Sequence, residues 1–292
     1  MVVSIIFILA LCSLPNISNA TSIFYVISPA AGSDELLEFT LDSIENETII
    51  ATKSAALTLN GAKPHFFTNS IAFSPDGELF GWSAKNTADD SDLGQLFTID
   101  RFTGEITLVG EPQGSPIWVN GLAFDSVGTL YGLAAHLYSI DTLTGVRTQI
   151  SSEPIGQGHR GLAIDTYTDT LYAWTGQANV KDQLLQINKT TGATTGVTLD
   201  LDIYNCCVGT EFDPDTGQLI TIRGGNSIYS TDISTGDVSF LGRVQWNGND
   251  IQSNSLAVLP GQIPEPSTYF LLVTGLLLFG LSRKSIGGKT QA

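Results

Sequence analysis

Residues 121–145, GLAFDSVGTLYGLAAHLYSIDTLTG, carry the pattern that decides the fold. Short runs in which apolar residues alternate with small or polar ones are typical of half-buried β-strands. Together with the residues that follow, this stretch predicts four strands, at 122–125, 129–133, 137–140 and 147–150. Val-Gly separates the first two strands and Asp-x-x-Thr-Gly separates the last two, as expected for tight hairpins. We therefore expect one antiparallel sheet of four strands here.

The same unit recurs along the chain. Its first half is similar to IAFSPDGELFGWSA (71–84), GLAIDTYTDTLYAWTG (161–176) and GTEFDPDTGQLITIRG (209–224). Its second half is similar to QLFTIDRFTGEITLVG (95–110), QLLQINKTTGATTGV (183–197) and SIYSTDISTGDVSFLG (227–242). Equivalent positions of the first strands lie 51, 40 and 48 residues apart; they are Ala72, Ala123, Ala163 and Glu211. Four strands repeated at this spacing predict the blades of a β-propeller, an all-β fold.

The turn between the third and fourth strands has a local chemical explanation. The four turns begin at Asp100, Asp141, Asn188 and Asp232, and they end at Gly104, Gly145, Gly192 and Gly236. An Asp or Asn side chain can accept hydrogen bonds from the backbone N–H groups of its own turn. Glycine can adopt the positive φ that closes the hairpin. One copy would predict only a hairpin, whereas four agreeing copies predict a repeat.

Incomplete units lie at both ends of the repeat region. Strand-like runs at 23–27, 37–41 and 48–52 correspond to the second, third and fourth strands of a blade whose first strand is missing. At the other end, 254–258 matches the opening of a blade, with nothing after it. We expect the C-terminal strand to complete the N-terminal blade and close a ring of five blades, because closure removes free sheet edges. Six blades are the alternative, if 51–70 or 243–254 contain further strands.

The composition excludes some classes of partner. Residues 21–262 hold 10 Lys and Arg against 28 Asp and Glu, a net charge of about −18. Nucleic acid requires a basic surface, and an anionic lipid surface would repel this domain, so we expect neither as a ligand. Cys206 and Cys207 are adjacent, too close for an ordinary disulfide. They are interpreted as two thiols, with a strained or intermolecular disulfide as the alternative.

Both ends of the chain read as targeting segments. Residues 1–20, MVVSIIFILALCSLPNISNA, predict a signal peptide cleaved after Ala20. The propeller domain is then expected at 21–262 and a sorting signal at 263–292. That signal contains Pro264-Glu265-Pro266, the apolar run YFLLVTGLLLFGL at 269–281, and Arg283-Lys284.

This tail resembles the PEP-CTERM bacterial sorting signal, in which the same three features occur in the same order. The resemblance implies a short C-terminal transmembrane helix, here 267–282, with Arg283 and Lys284 on the cytoplasmic side. It also implies processing near the motif by an exosortase-type membrane protease. The protein would be anchored transiently in the inner membrane and then delivered to the outer surface or the extracellular matrix.

A ligand site is predicted where the first strands of the blades begin, around the mouth of the central channel. The residues at this position are Asn69, Asn120, Arg160, Val208 and Asn254. Trp118 and Trp246 precede such strands, and aromatic faces beside amides suit carbohydrate. Asn residues here also fit an ordinary turn role. Trp82 and Trp174 share a repeat position, so we expect them to pack between blades.

Metal and catalytic sites have weaker support in the sequence. Glu211 replaces a repeat alanine and could face the channel; with Asn120 and Asn254 it is similar to the metal site of gluconolactonase-type propeller hydrolases. The acidic loop at 89–92 could hold calcium but lacks EF-hand spacing. The three histidines lie outside GxSxG and HExxH motifs.

These features predict an exported, non-enzymatic module that binds exopolysaccharide or another matrix component, or has a structural role there. Two alternatives remain open: a metal-dependent hydrolase, lactonase or lyase at the channel mouth, and a protein-interaction scaffold.

Overall fold

The computed structural model describes residues 21–30, 33–42, 44–84, 94–113, 118–156, 159–177, 180–198 and 208–260. Throughout these ranges the regular structure is β-strand, and the strands form five blades of a propeller. No helix in the same ranges is long and apolar enough to cross a membrane.

The strands are as follows in chain order. The N-terminal strands are β1 Phe24–Ala30, β2 Ser33–Phe39, β3 Thr48–Ile50 and β4 Thr52–Ala56. Blade 1 contains β5 Phe67–Phe73, β6 Leu79–Ala84, β7 Leu96–Ile99 and β8 Ile106–Val109. Blade 2 contains β9 Gly121–Phe124, β10 Leu130–Leu133, β11 Leu137–Ile140 and β12 Arg147–Gln149. Blade 3 contains β13 His159–Asp165, β14 Thr170–Gln177, β15 Val180–Ile187 and β16 Thr194–Thr198. Blade 4 contains β17 Val208–Phe212, β18 Leu219–Arg223, β19 Ser227–Thr231, β20 Val238–Trp246 and β21 Asn249–Asp250. The last strand is β22 Ala257–Val258.

Each blade is an antiparallel meander whose first strand lies innermost. In blade 2 the register pairs Ala123 with Tyr131 and Ser139 with Thr148. The strand bounds of this blade agree with those predicted from residues 121–150 to within one residue. The inner strands β5, β9, β13, β17 and β22 pack side by side around the axis.

Blade 5 is assembled from both ends of the described chain, in the order β22-β1-β2-β4. β22 pairs antiparallel with β1, with Val258 opposite Phe24 and Ala257 opposite Tyr25. A side-chain contact extends this pairing, because the Ile27 N–H donates to Ser255 Oγ at 3.3 Å. The backbone then continues past the strand, where the Leu259 N–H donates to the Ile23 carbonyl at 2.9 Å.

The run at 48–52 was expected to be one strand, and this expectation was wrong. The run is divided at Ala51 into two strands that belong to different blades. Before Ala51, β3 pairs in parallel with β20 of blade 4, and after it, β4 pairs with β2 of blade 5. Ile49 and Ala51 are both buried in the core between blades 4 and 5. Burying these two side chains draws the chain across the junction, so that one short segment ties two blades together.

Within the described ranges, the apolar cores lie between neighbouring blades. The core between blades 1 and 2 contains Trp82 and Leu122, and the core between blades 3 and 4 contains Trp174 and Val208. Similar cores lie between blades 2 and 3, 4 and 5, and 5 and 1. Trp82 and Trp174 are fully buried, which confirms that the repeated tryptophan packs between blades.

The predicted turn chemistry is also confirmed. Asp141 Oδ1 accepts hydrogen bonds from the N–H groups of Leu143 and Thr144 at 2.9 and 2.8 Å, and Gly145 has a φ of +70°. Asn188 makes the same two contacts at 3.0 Å each. These N–H groups hold the pKa of the Asp141 carboxyl below its usual range, because they stabilise the charged form.

Candidate binding face at the channel mouth

The propeller has two faces, which follow from the direction of the inner strands. The mouth face is the one at which β5, β9, β13 and β17 begin, and the turn face is the one at which they end. Hairpins on the turn face contact one another across blades. Lys189, in the Asn188 turn of blade 3, binds Asp125 at the end of the inner strand of blade 2 at 3.2 Å.

Three of the predicted asparagines come together on the mouth face. Asn254 Nδ2 donates to Asn69 Oδ1 at 3.4 Å, and Asn69 Nδ2 donates to Asn120 Oδ1 at 3.2 Å and to the Val119 carbonyl at 2.6 Å. We call these three side chains the amide relay. Asn69 is buried, whereas Asn120 and Asn254 are half-buried. Asn120 Oδ1 accepts from Asn69, so the half-buried Asn120 amide is held at the mouth by its oxygen.

Two exposed aromatic residues precede members of the amide relay in the chain. Trp118 was predicted, and it is 51% exposed two residues before Asn120. Phe67, which the sequence reasoning missed, is also 51% exposed and lies two residues before Asn69. The equal offset from two equivalent asparagines is the signal that could have found it. Two adjacent blades therefore each have an exposed ring two residues before an asparagine of the amide relay.

The channel itself is nearly filled. Its cavity has a volume of about 10 Å³ and is lined by backbone and side chains that include Asn120, Gly121, Gly161, Gly209, Thr210 and Asn254. That volume holds about one water molecule. The glycines explain the narrowness: a Cβ on Gly121 would lie 2.5 Å from the Leu162 backbone nitrogen, and one on Gly209 would lie 2.6 Å from that of Leu256. A channel this narrow cannot admit a sugar ring.

Glu211 lies apart from this mouth. It does not belong to the cavity lining that Asn120 and Asn254 share, and its hydrogen bond comes from the Phe212 N–H at 3.3 Å. Alternation along β17 places it on the side of Gly209, which faces Ser255 and Leu256 just before β22, and about 10 Å along the strand from Val208. Burial raises the pKa of the Glu211 carboxyl to about 8. Among the residues described, no group of three His, Cys, Asp or Glu side chains could hold a metal ion.

A buried ion pair stiffens the mouth between blades 3 and 4. Arg223, opposite Val208 in the register, pairs with Asp182, which also accepts the Trp174 Nε1–H at 2.8 Å. Both charged side chains are 3% exposed. Burial lowers the pKa of Arg223, because it disfavours the charged guanidinium.

The remaining predicted residues are more scattered. Trp246 is half-buried at the end of β20, the outer long strand of blade 4, and packs against the core between blades 4 and 5. It does not join the amide relay. The Arg160 backbone pairs with Thr175 at the predicted position, and its side chain is outside the described part of the structure. Ala20, the acidic loop at 89–92, both adjacent cysteines and the whole sorting tail also lie outside the described residues.

Comparison with known families identifies the tail. The family model described as the PEP-CTERM protein-sorting motif matches residues 262–284. The chain therefore carries a PEP-CTERM sorting motif behind a five-bladed β-propeller arrangement. This motif implies an exported, envelope-associated protein that is sorted by an exosortase-type system.

Whole-chain comparisons give only remote similarities. No curated protein matches the chain. TolB from Acinetobacter baumannii is 16% identical with a TM-score of 0.47, covering 76% of this chain and 53% of that one. A protein of unknown function from Bacteroides caccae is 11% identical with a TM-score of 0.47, covering 82% and 99%. An auxiliary nutrient binding protein from Bacteroides ovatus is 14% identical with a TM-score of 0.45, covering 83% and 60%. The chain thus spans about half the length of the TolB structure.

Proposed function

We propose that this protein is a non-enzymatic binding module that holds exopolysaccharide across its mouth face. The observation that carries the proposal is the pair formed by exposed Trp118 and the adjoining amide relay. Sugar C–H surfaces stack on indole rings, and hydroxyl groups pair with amide donors and acceptors. The filled channel favours a polymer lying over the surface rather than a small molecule enclosed in a pocket.

The amide relay supports tight recognition because its members hold one another in place. Asn69 is fixed by two acceptors, so Asn120 and Asn254 lose little side-chain entropy when a ligand binds. In the same proposal the leader is removed after Ala20 and residues 267–282 anchor the precursor in the inner membrane. Pairing of β22 with β1 closes the ring. After processing, the module resides on the outer surface or in the extracellular matrix.

The test is a titration of residues 21–260 with a panel of bacterial glycans, with and without calcium, followed by tryptophan emission. We expect a saturable shift with a neutral exopolysaccharide, and at least a tenfold weaker affinity in Trp118→Ala, since truncating an aromatic anchor of a binding site costs about 2 kcal/mol. Phe102→Ala is the matched control, because Phe102 is an exposed aromatic residue on the turn face.

An equal loss of glycan affinity in Trp118→Ala and Phe102→Ala would indicate that the glycan does not bind at the mouth face, and it would contradict the proposal. A flat response to the whole panel would favour a protein-interaction scaffold. Glycan turnover that requires a divalent metal and is lost in Glu211→Ala would favour the hydrolase or lyase alternative.

A further inference from the structure

The polarity of the last strand determines where the tail leaves the domain. β22 runs antiparallel to β1 and therefore in the same direction as the other inner strands, from the mouth face to the turn face. The contact between Leu259 and Ile23 continues this path by one residue. Because β22 is the innermost strand of blade 5, the tail emerges near the centre of the turn face.

The tether that follows is short. Eight residues, 261–268, separate Pro260 from Tyr269, where the apolar run of the sorting tail begins. Fully extended, they span about 30 Å. A blade of four strands extends about 15 Å from its inner to its outer strand, at about 4.8 Å per strand. A tether starting at the centre would use about half of its full extension to reach the edge of a blade, so it favours the turn face as the face held toward the membrane.

The turn face carries side chains suited to that position. Four of its hairpin tips present an apolar or aromatic residue that is at least 73% exposed. These are Phe102, Val127, Leu143 and Tyr167, which we call the apolar tips. Exposed aromatic and aliphatic side chains of this kind partition into the headgroup region of a bilayer. The hairpins also carry ionised carboxylates such as Asp100, Asp141 and Asp232, which disfavour an anionic lipid surface.

We propose that, in the membrane-anchored precursor, the turn face lies against a bilayer of low surface charge, with the apolar tips in the headgroup region. This proposal rests on the anchoring stated under the proposed function, but not on glycan binding. Its consequence is that the mouth face points away from the membrane. The amide relay and Trp118 are then free to bind a ligand before the sorting tail is processed.

The experiment uses the full chain reconstituted in phosphatidylcholine vesicles, with all three native cysteines replaced by serine. Single cysteines at Val127, Leu143 or Phe67 carry an environment-sensitive dye, and nitroxide-labelled lipid serves as the quencher. Val127 and Leu143 lie on the turn face, and Phe67 is the matched position on the mouth face. We expect about half of the emission to be lost at Val127 and Leu143, because interfacial side chains enter the headgroup boundary by about 5–10 Å. Phe67 should lose almost none.

Vesicle composition and flotation complete the test. Replacing half of the lipid with phosphatidylglycerol should reduce the quenching at Val127 and Leu143, because the carboxylates of the hairpins are repelled. The proposed orientation would be overturned by any of three results: quenching at Phe67 alone, equal quenching at all three positions, or no quenching at any of them. If the chain does not float with the vesicles, it is not anchored in the bilayer, and the proposed orientation is wrong. The glycan titration is independent of all these outcomes.

Discussion

Replacement of Glu211 by alanine should stabilise this protein at neutral and alkaline pH, although it removes a charged group. Three other blades have alanine at the same repeat position, Ala72, Ala123 and Ala163, so the backbone there already accommodates a methyl group. Glu211 instead has a half-buried carboxyl group on the side of β17 that Gly209 shares. Burial raises its pKa to about 8, and the single N–H of Phe212 offsets this only in part.

The magnitude follows from the two protonation equilibria. The carboxyl has an ordinary pKa of 4.5 in the unfolded chain and of about 8 in the folded protein, so the folded state holds its proton more tightly. The associated stability is fully present below pH 4.5 and is lost as the pH rises to 8. Each pH unit in that window costs about 1.4 kcal/mol, which gives an upper limit of about 5 kcal/mol above pH 8. Residual solvent contact of the side chain reduces the expected loss to about 2–3 kcal/mol.

Denaturant unfolding at pH 4, 6, 7 and 9 measures this loss. The wild-type free energy of unfolding should fall between pH 4 and 9 by about 2–3 kcal/mol more than that of Glu211→Ala. Glu211→Gln is the control for shape, since it keeps the side-chain volume but cannot ionise. The reasoning is refuted if both variants follow the wild-type pH profile, or if they are less stable than the wild type at pH 9.

Further predictions concern the axis, the buried ion pair and the tail. Gly121→Ala should cost about 3 kcal/mol of unfolding free energy, because its Cβ would lie 2.5 Å from backbone; Gly77→Ala, in open space at positive φ, should cost only about 1 kcal/mol. Asp182→Asn should lower the free energy of unfolding by about 3–5 kcal/mol, because it leaves the buried charge of Arg223 without its carboxylate. Adding Arg223→Met to this variant should recover much of that loss in the same unfolding assay. Alanine at both prolines of the sorting motif should block maturation in whole cells, seen as an uncleaved product on immunoblots; normal cleavage and localisation would contradict the role of the motif.

The candidate site was only partly predictable from residue positions. The asparagines that begin the inner strands could be aligned because they share a repeat position, and three of them do meet. Phe67 was not predicted because its exposure depends on how β5 packs, and the local signal for it is its position two residues before Asn69. Trp246 was expected at the mouth, yet it packs on the outer part of blade 4, because β20 continues for nine residues and carries it outward.

The sequence by itself determined the features that depend on contacts between near neighbours. Strand alternation, the Asp-x-x-Thr-Gly turns and the sorting motif are each encoded within a short segment, where backbone geometry and side-chain hydrogen bonds act locally. The turn at Asp141 illustrates this, since its hydrogen bonds join residues two and three positions apart.

Only the tertiary structure decided which of these elements meet. The division of the chain at Ala51, the filling of the channel by Gly121 and its counterparts, and the burial of Glu211 all depend on how blades pack. Such contacts join residues far apart in the chain, and they are fixed by blade twist and by the burial of apolar cores between blades. The direction in which β22 leaves the domain, and hence the face turned toward the tail, was decided in the same way.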